Sequence, residues 1–123
     1  MAGEPSMPEL LISVTVLPAG DGVCSVMRLA GEADMGSSEL RDALTIQLAA
    51  KPRLLLVDMS ALTFIDSAAT QMIIAAHRVA RHEGETLALV HPTAPVARVL
   101  SLVGVDQMIN IYDNVDEAIT AAR

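Results

Sequence analysis

A single α/β domain with a mixed sheet is the fold class this sequence predicts, and three observations carry it. Apolar strand-like runs alternate with amphipathic helical patterns, which implies crossovers between largely parallel strands. The run Arg53-Leu54-Leu55-Leu56-Val57-Asp58 is apolar without alternation, as in a strand covered on both faces. The first two strand patterns follow one another with only a turn between them, which is the signature of a hairpin.

Taken in order, Met1 to Glu9 contains Gly3, Pro5 and Pro8 without periodicity and is expected to be a mobile tail. From Leu10 to Leu17, Ile12, Val14 and Val16 alternate with Ser13 and Thr15, a half-buried strand closed by Pro18. Ala19-Gly20-Asp21-Gly22 has turn composition, longer than the two-residue minimum of a hairpin. Val23 to Ala30 reads as the second strand, and Gly31 to Gly36 as a loop. Ser37 or Ser38 can cap the helix that follows, whose Leu40, Ala43, Leu44, Gln47 and Leu48 fall on one side. Lys51-Pro52 ends that helix and leads into the Arg53–Asp58 strand. A connection over Met59–Ile65 then delivers the chain to a helix from Ser67 to His82.

Gly84 breaks this helix, and Thr86 to His91 forms a fourth strand. Pro92 to Pro95 opens a helix carrying Val96, Val99, Leu100 and Val103 at i, i+3, i+4 and i+7, ended by Gly104. Met108 to Tyr112 is a short strand or extended piece. Asn114 and Glu117 stand at N-cap and N3 spacing for a last helix to Ala122. The expected result is one domain over residues 10–122, with a four- to five-stranded sheet packed against about four helices.

Composition narrows the function classes. With 123 residues, 52% of them hydrophobic, the chain is one ordinary domain with a real core. A formal charge of −7 argues against a nucleic-acid partner, which needs a basic footprint. Phe64 and Tyr112 are the only aromatic residues, too few to stack bases. No apolar run approaches the ~20 residues needed to cross a bilayer, and no basic-then-apolar leader opens the chain. A cytoplasmic protein without direct membrane insertion is expected. Cys24 is the single cysteine, so no internal disulfide can form, and its place in a strand pattern suits a small buried hydrophobe. Neither a P-loop nor a Gly-x-Gly-x-x-Gly run is present, and no cofactor is expected.

The start of the helix at Ser67 concentrates the chemistry. On that helix Ala69, Met72, Ile73, Ala76, Val79 and Ala80 form the expected core stripe. Ser67, Gln71, Ile74 and Arg78 form a second line, with Thr70, His77 and Arg81 beside it, expected to face solvent. Asp66 suits the N-cap, a role worth about 1 kcal/mol. Ser67 then sits where a helix presents unpaired N–H groups. A phosphate there would add roughly −1.5 to −2 charges. The helix dipole tolerates such a charge, so the modification would act on an interface rather than on stability.

These residues resemble a known family. Val57-Asp58-Met59-Ser60-Ala61-Leu62-Thr63-Phe64-Ile65-Asp66-Ser67 is similar to the signature of the STAS domain, named for sulphate transporters and anti-sigma factor antagonists. Leu29-Ala30-Gly31-Glu32-Ala33-Asp34 resembles the stretch after the family's second strand. The resemblance extends over about Leu10 to Ala122. It implies that Ser67 is phosphorylated by a partner serine kinase that is itself the anti-sigma factor. The unphosphorylated protein would bind that kinase and free a sigma factor for transcription; a phosphatase would restore binding. The resemblance implies no metal and no catalysis, and it places Asp34 near Ser67 on the partner surface. The expected partner-binding set is Asp34, Asp66, Ser67, Thr70, Gln71, Ile74 and Arg78, on a monomer or weak dimer. Where the family usually continues Asp-Ser-Ser/Thr-Gly-Leu-Gly, this chain has Asp66-Ser67-Ala68-Ala69-Thr70-Gln71, which leaves Ser67 as the unambiguous acceptor.

Two other readings compete. In one, the chain is a non-switching STAS adaptor, a subunit of a lipid transporter or of a larger signalling assembly, and Ser67 merely starts a helix. In the other, Ser67 is a catalytic nucleophile. Ile65 and Ala69 occupy the glycine positions of Gly-x-Ser-x-Gly, and none of His77, His82 and His91 has the context of a base. His77 and His82 are also off the i, i+4 spacing of paired helical metal ligands. The expectation is therefore no enzyme and no metal site.

Overall fold

Residues 10–122 are described by a computed structural model of the chain, and the tail expected over Met1–Glu9 lies outside them. Among the described residues a five-stranded sheet has the order β1-β2-β3-β4-β5. Its strands are β1 (Leu11–Ala19), β2 (Gly22–Ala33), β3 (Leu54–Ile65), β4 (Thr86–Val90) and β5 (Ile111–Tyr112). The helices are α1 (Ser38–Ala49), α2 (Ser67–His82), α3 (Ala94–Val103) and α4 (Val115–Ala121). β1 and β2 pair antiparallel and every other pairing is parallel, so the mixed sheet expected from the sequence is the one formed.

Both faces of the middle strands are covered, which explains the unbroken apolar run in β3. On one face Met27, Leu29, Leu55, Val57, Leu87 and Leu89 pack under α1, α2 and α3. On the other, Cys24, Val26, Leu54, Leu56, Ala88 and Val90 pack against α4 through Ala118. Leu54, Leu55, Leu56 and Val57 are all essentially inaccessible. Burying such a side chain stabilises the fold by about 1.5–3 kcal/mol, so this segment anchors the sheet. Cys24 is buried here too, and desolvation pushes its thiol up to about 11, making it an inert packing group.

Several boundaries differ from those the sequence suggested, each for a local reason. β1 runs through Pro18 to Ala19, because an edge strand has an unpaired side where a missing N–H costs nothing. The hairpin loop is only Gly20-Asp21, with Ala19 paired to Gly22. Gly20 takes the positive φ of +63° that so tight a turn requires, and Asp21 is clamped by Arg53 Nη1 at 2.6 Å. The stretches read as loops over Gly31–Ala33 and Met59–Ile65 are strand: Ala30 to Ala33 pair with Ala61 to Ile65. Register shifts at Arg28/Ala30 and Gly31/Glu32 each place one extra residue in β3, which is therefore the bulged strand, and opposite the second bulge Gly31 stands at φ +103°. β4 stops at Val90 opposite Asp58, so the upper part of β3 has only β2 beside it.

The remaining elements follow their sequence signals. Thr93 precedes α3, whose N-terminal turn contains Pro95, and Gly104 ends it in the left-handed region at φ +86°. Asn114 Oδ1 accepts from Glu117 N at 2.8 Å while Asn114 Nδ2 donates to Glu117 Oε2 at 3.3 Å, the reciprocal cap that starts α4.

Candidate functional site

The register of β2 on β3 decides where the candidate residues meet. Ala33 pairs with Ile65, so the chain leaves the two strands side by side at Asp34 and Asp66. Asp66 N donates to the Ala33 carbonyl at 3.1 Å and closes the last rung. Two threonines brace this two-stranded extension: Thr63 Oγ1 donates to the Gly31 carbonyl at 3.0 Å, and Thr93 Oγ1 to the Leu62 carbonyl at 2.6 Å.

Asp66 is the N-cap of α2 with extended backbone, as its position before the helical pattern predicts. Its carboxylate does two jobs. Oδ1 accepts from Ala69 N at 2.8 Å, and Oδ2 accepts from Met35 N at 2.9 Å. One side chain therefore satisfies a helix-start donor and pins the β2–α1 loop to that helix. The loop is also tied to itself. Asp34 Oδ1 accepts from Gly36 N at 2.9 Å and from Ser37 Oγ at 3.5 Å, and Ser37 Oγ accepts from Asp34 N at 3.0 Å. Asp34 is thus brought beside Asp66, half-buried, with one carboxylate oxygen engaged by its own loop.

Ser67 is the first residue of α2 and is exposed. Among the described residues its Oγ makes no hydrogen bond, and the N–H groups of Ser67 and Ala68 have no intrahelical acceptor. A free hydroxyl beside two free donors can accept a phosphate and hold part of its charge.

Two of the expected surface residues on α2 are not on the surface. Thr70 is fully buried, and its Oγ1 donates to the Asp66 carbonyl at 2.8 Å. Ile74 is 4% exposed and belongs to the core. Conversely, Val79, expected inside, is 50% exposed, and Met72 is only half-buried. The reason is a rotation of the buried arc. Met72, Ala75 and Val79 face α1 across a groove, so the opposite flank, with Thr70 and Ile74, is the one that packs inward beneath α3. The exposed ridge therefore runs Ser67, Gln71, Ala75, Arg78.

Two exposed apolar residues near this end escaped the sequence reading. Met35 is 79% exposed at the tip of the loop held by Asp66, and Phe64 is 45% exposed just before Ile65. For Met35 the available signal was an apolar side chain inside a stretch of turn composition; Phe64 lies in β3 and offered no such signal.

Among the described residues, no histidine hydrogen-bonds to Ser67. His82 and His91 are exposed, and His77 Nδ1 is enclosed without a hydrogen-bond partner among the described residues. Desolvation, then Arg81 and Arg78, lowers the His77 pKa. Among the described residues, no three His, Cys, Asp or Glu side chains are arranged to hold a metal, and no helix is long and apolar enough to cross a membrane.

Comparison with known proteins bears on the family and the fold. A STAS-domain containing protein of Pseudomonas aeruginosa is 28% identical over 81% of this chain and 99% of its own length. The crystal structure of an anti-sigma factor antagonist from Mycobacterium paratuberculosis superposes with a TM-score of 0.73 at 28% identity, covering 92% of this chain and 95% of that one. The Bacillus cell fate determinant SpoIIAA in its phosphorylated form shares the fold, with a TM-score of 0.69 at 17% identity over 92% of this chain and all of that one. A family model described as "Mlab, STAS domain" matches residues 16–111. The chain belongs to the STAS domain family, and its structural neighbours include anti-sigma factor antagonists.

Proposed function

We propose that this protein is a phospho-switched anti-sigma factor antagonist. Unphosphorylated, it binds an anti-sigma factor that is also a serine kinase; phosphorylation of Ser67 ends the binding, and a phosphatase restores it. The observation that carries this reading is the exposed, hydrogen-bond-free hydroxyl of Ser67 directly after a capping aspartate. That SpoIIAA has a phosphorylated form supports it as well.

In this reading the docking surface is the end of the β2–β3 extension and the adjoining ridge of α2. Asp34, Asp66, Ser67, Gln71 and Arg78 supply its polar part, and Met35 supplies an apolar contact beside them. Thr70 and Ile74 play no direct part, being buried. The switch is electrostatic. A phosphate on Ser67 adds roughly −1.5 to −2 charges next to Asp66 on a chain already at −7, and repels an acidic partner face. The helix start stabilises the same charge, so the fold survives the modification.

The test is a pull-down from the native cell with wild-type, Ser67→Ala and Ser67→Glu baits, with thermal melting of each. The expected result is an ATP-binding kinase retained by wild type and Ser67→Ala but lost by Ser67→Glu, all three melting alike. Stoichiometric phosphate on Ser67 after incubation with that kinase and ATP completes the case. Equal retention by all three baits would sink the switch. It would favour a non-switching adaptor in a transporter or signalling assembly, a reading that fits the fold shared with a sulfate transporter family protein from Wolinella succinogenes.

A further inference from the structure

Alongside the exposed ridge of α2, with which it shares Ala75, lies a second feature of the helix layer. A groove of about 440 Å³ opens between α1 and α2, within the range of small-molecule sites. Its walls are Leu44, Leu48 and Ala49 on α1 and Met72, Ala76 and Val79 on α2. Met72 and Val79 carry a core-like pattern in the sequence, yet Met72 is only half-buried and Val79 stays 50% exposed.

The polar groups at the rim are few and are placed unevenly. At one end Lys51 Nζ pairs with Glu83 Oε1 at 2.9 Å, joining the segments after the two helices and neutralising both charges. Toward the other end stands Arg41, which has no ion-pair partner among the described residues. Thr45, the one hydroxyl on the wall, is spent on the Arg41 carbonyl at 2.9 Å. An apolar channel with a single uncompensated cation at one end matches an unbranched apolar chain with one anionic head. It offers no ring to stack on and no set of donors for a sugar or a base. Its size suits a small molecule, whereas an amphipathic helix would need a longer trough.

We propose that the α1–α2 groove binds a free long-chain carboxylate, with the chain along Leu48, Met72 and Val79 and the carboxylate on Arg41. The groove and the ridge share Ala75, but binding here needs neither a phosphate on Ser67 nor a protein partner, so failure of either reading leaves the other standing. A two-pronged guanidinium–carboxylate pair fits this end, and losing it should weaken binding roughly tenfold.

The experiment uses the full chain and a dansyl-labelled undecanoic acid kept below its micelle concentration. The expected result is enhanced, blue-shifted emission, displaced by palmitate and roughly tenfold less effectively by hexadecanol, which lacks the charge. Arg41→Ala should weaken palmitate by the same factor and leave hexadecanol unchanged. Val79→Asp, at an already exposed position, should abolish the signal while melting like wild type. An absent signal with wild type overturns the proposal, as does indifference to Arg41→Ala. Light scattering that shows a wild-type dimer turned monomeric by Val79→Asp would assign the groove to a second copy instead. Sedimentation of the protein with phosphatidylglycerol vesicles would assign it to a membrane, which the net charge of −7 opposes.

Discussion

The two halves of β3 lead different lives. From Leu54 to Asp58 the strand lies between β2 and β4, with helices on both faces, and Leu54 to Val57 are inaccessible. From Met59 to Ile65 it has β2 alone as a strand neighbour; Ser60, Thr63 and Phe64 are exposed, while Met59, Leu62 and Ile65 remain inside. The first half is where hydrophobic burial holds the sheet together. The second uses that anchorage to carry two chain exits, at Asp34 and Asp66, out to one edge. There, order comes from individual hydrogen bonds: Thr93 to Leu62, Thr63 to Gly31, and the two bonds of Asp66. Stability and site placement are thus assigned to consecutive stretches of one strand.

Substitutions in the two halves should therefore differ in kind as well as in size. Leu56→Ala leaves a cavity in the doubly covered half and should cost about 2–5 kcal/mol in urea unfolding. A loss below 1 kcal/mol would mean that this half is not the anchor. Asp66→Ala removes a cap and frees the Met35 loop; about 1–2 kcal/mol is expected. Amide exchange should also quicken at Met35 and Ala69 and nowhere in Leu54–Val57. If exchange quickened along the whole strand, the halves would not be separable. Thr93→Val deletes only the brace on the Leu62 carbonyl and should cost about 1 kcal/mol. Its exchange effect should stay within the extension and the start of α3. An unchanged extension would show that β2 pairing is sufficient to hold it.

The groove between α1 and α2 teaches a related point from the helix side. Periodicity places Met72 and Val79 with the core stripe, because spacing reports which residues share an arc but not where that arc ends. α3 covers one flank of α2 and draws Thr70 and Ile74 inward, while α1 leaves the other flank open. Thr70 could be buried at little cost because its hydroxyl has the Asp66 carbonyl as an acceptor, a local bond available at i−4 on any helix. The polarity of the side chain was therefore a poor guide to its exposure.

The sequence by itself determined the order of the elements, the doubly buried strand, the caps at Asp66 and Asn114, the glycine stop at Gly104 and the exposed Ser67 at a helix start. Each of these rests on short-range spacing or on the backbone preference of one residue, and both are written locally. Tertiary structure alone decided that Gly31–Ala33 and Met59–Ile65 are strand, because their ladder joins residues about thirty positions apart and has no local periodic signal. It alone decided that Asp66 would hold Met35, that Ile74 would be buried, and that Met72 and Val79 would line an open groove. Those outcomes depend on which neighbour reaches each flank, and a neighbour is a property of the packed fold.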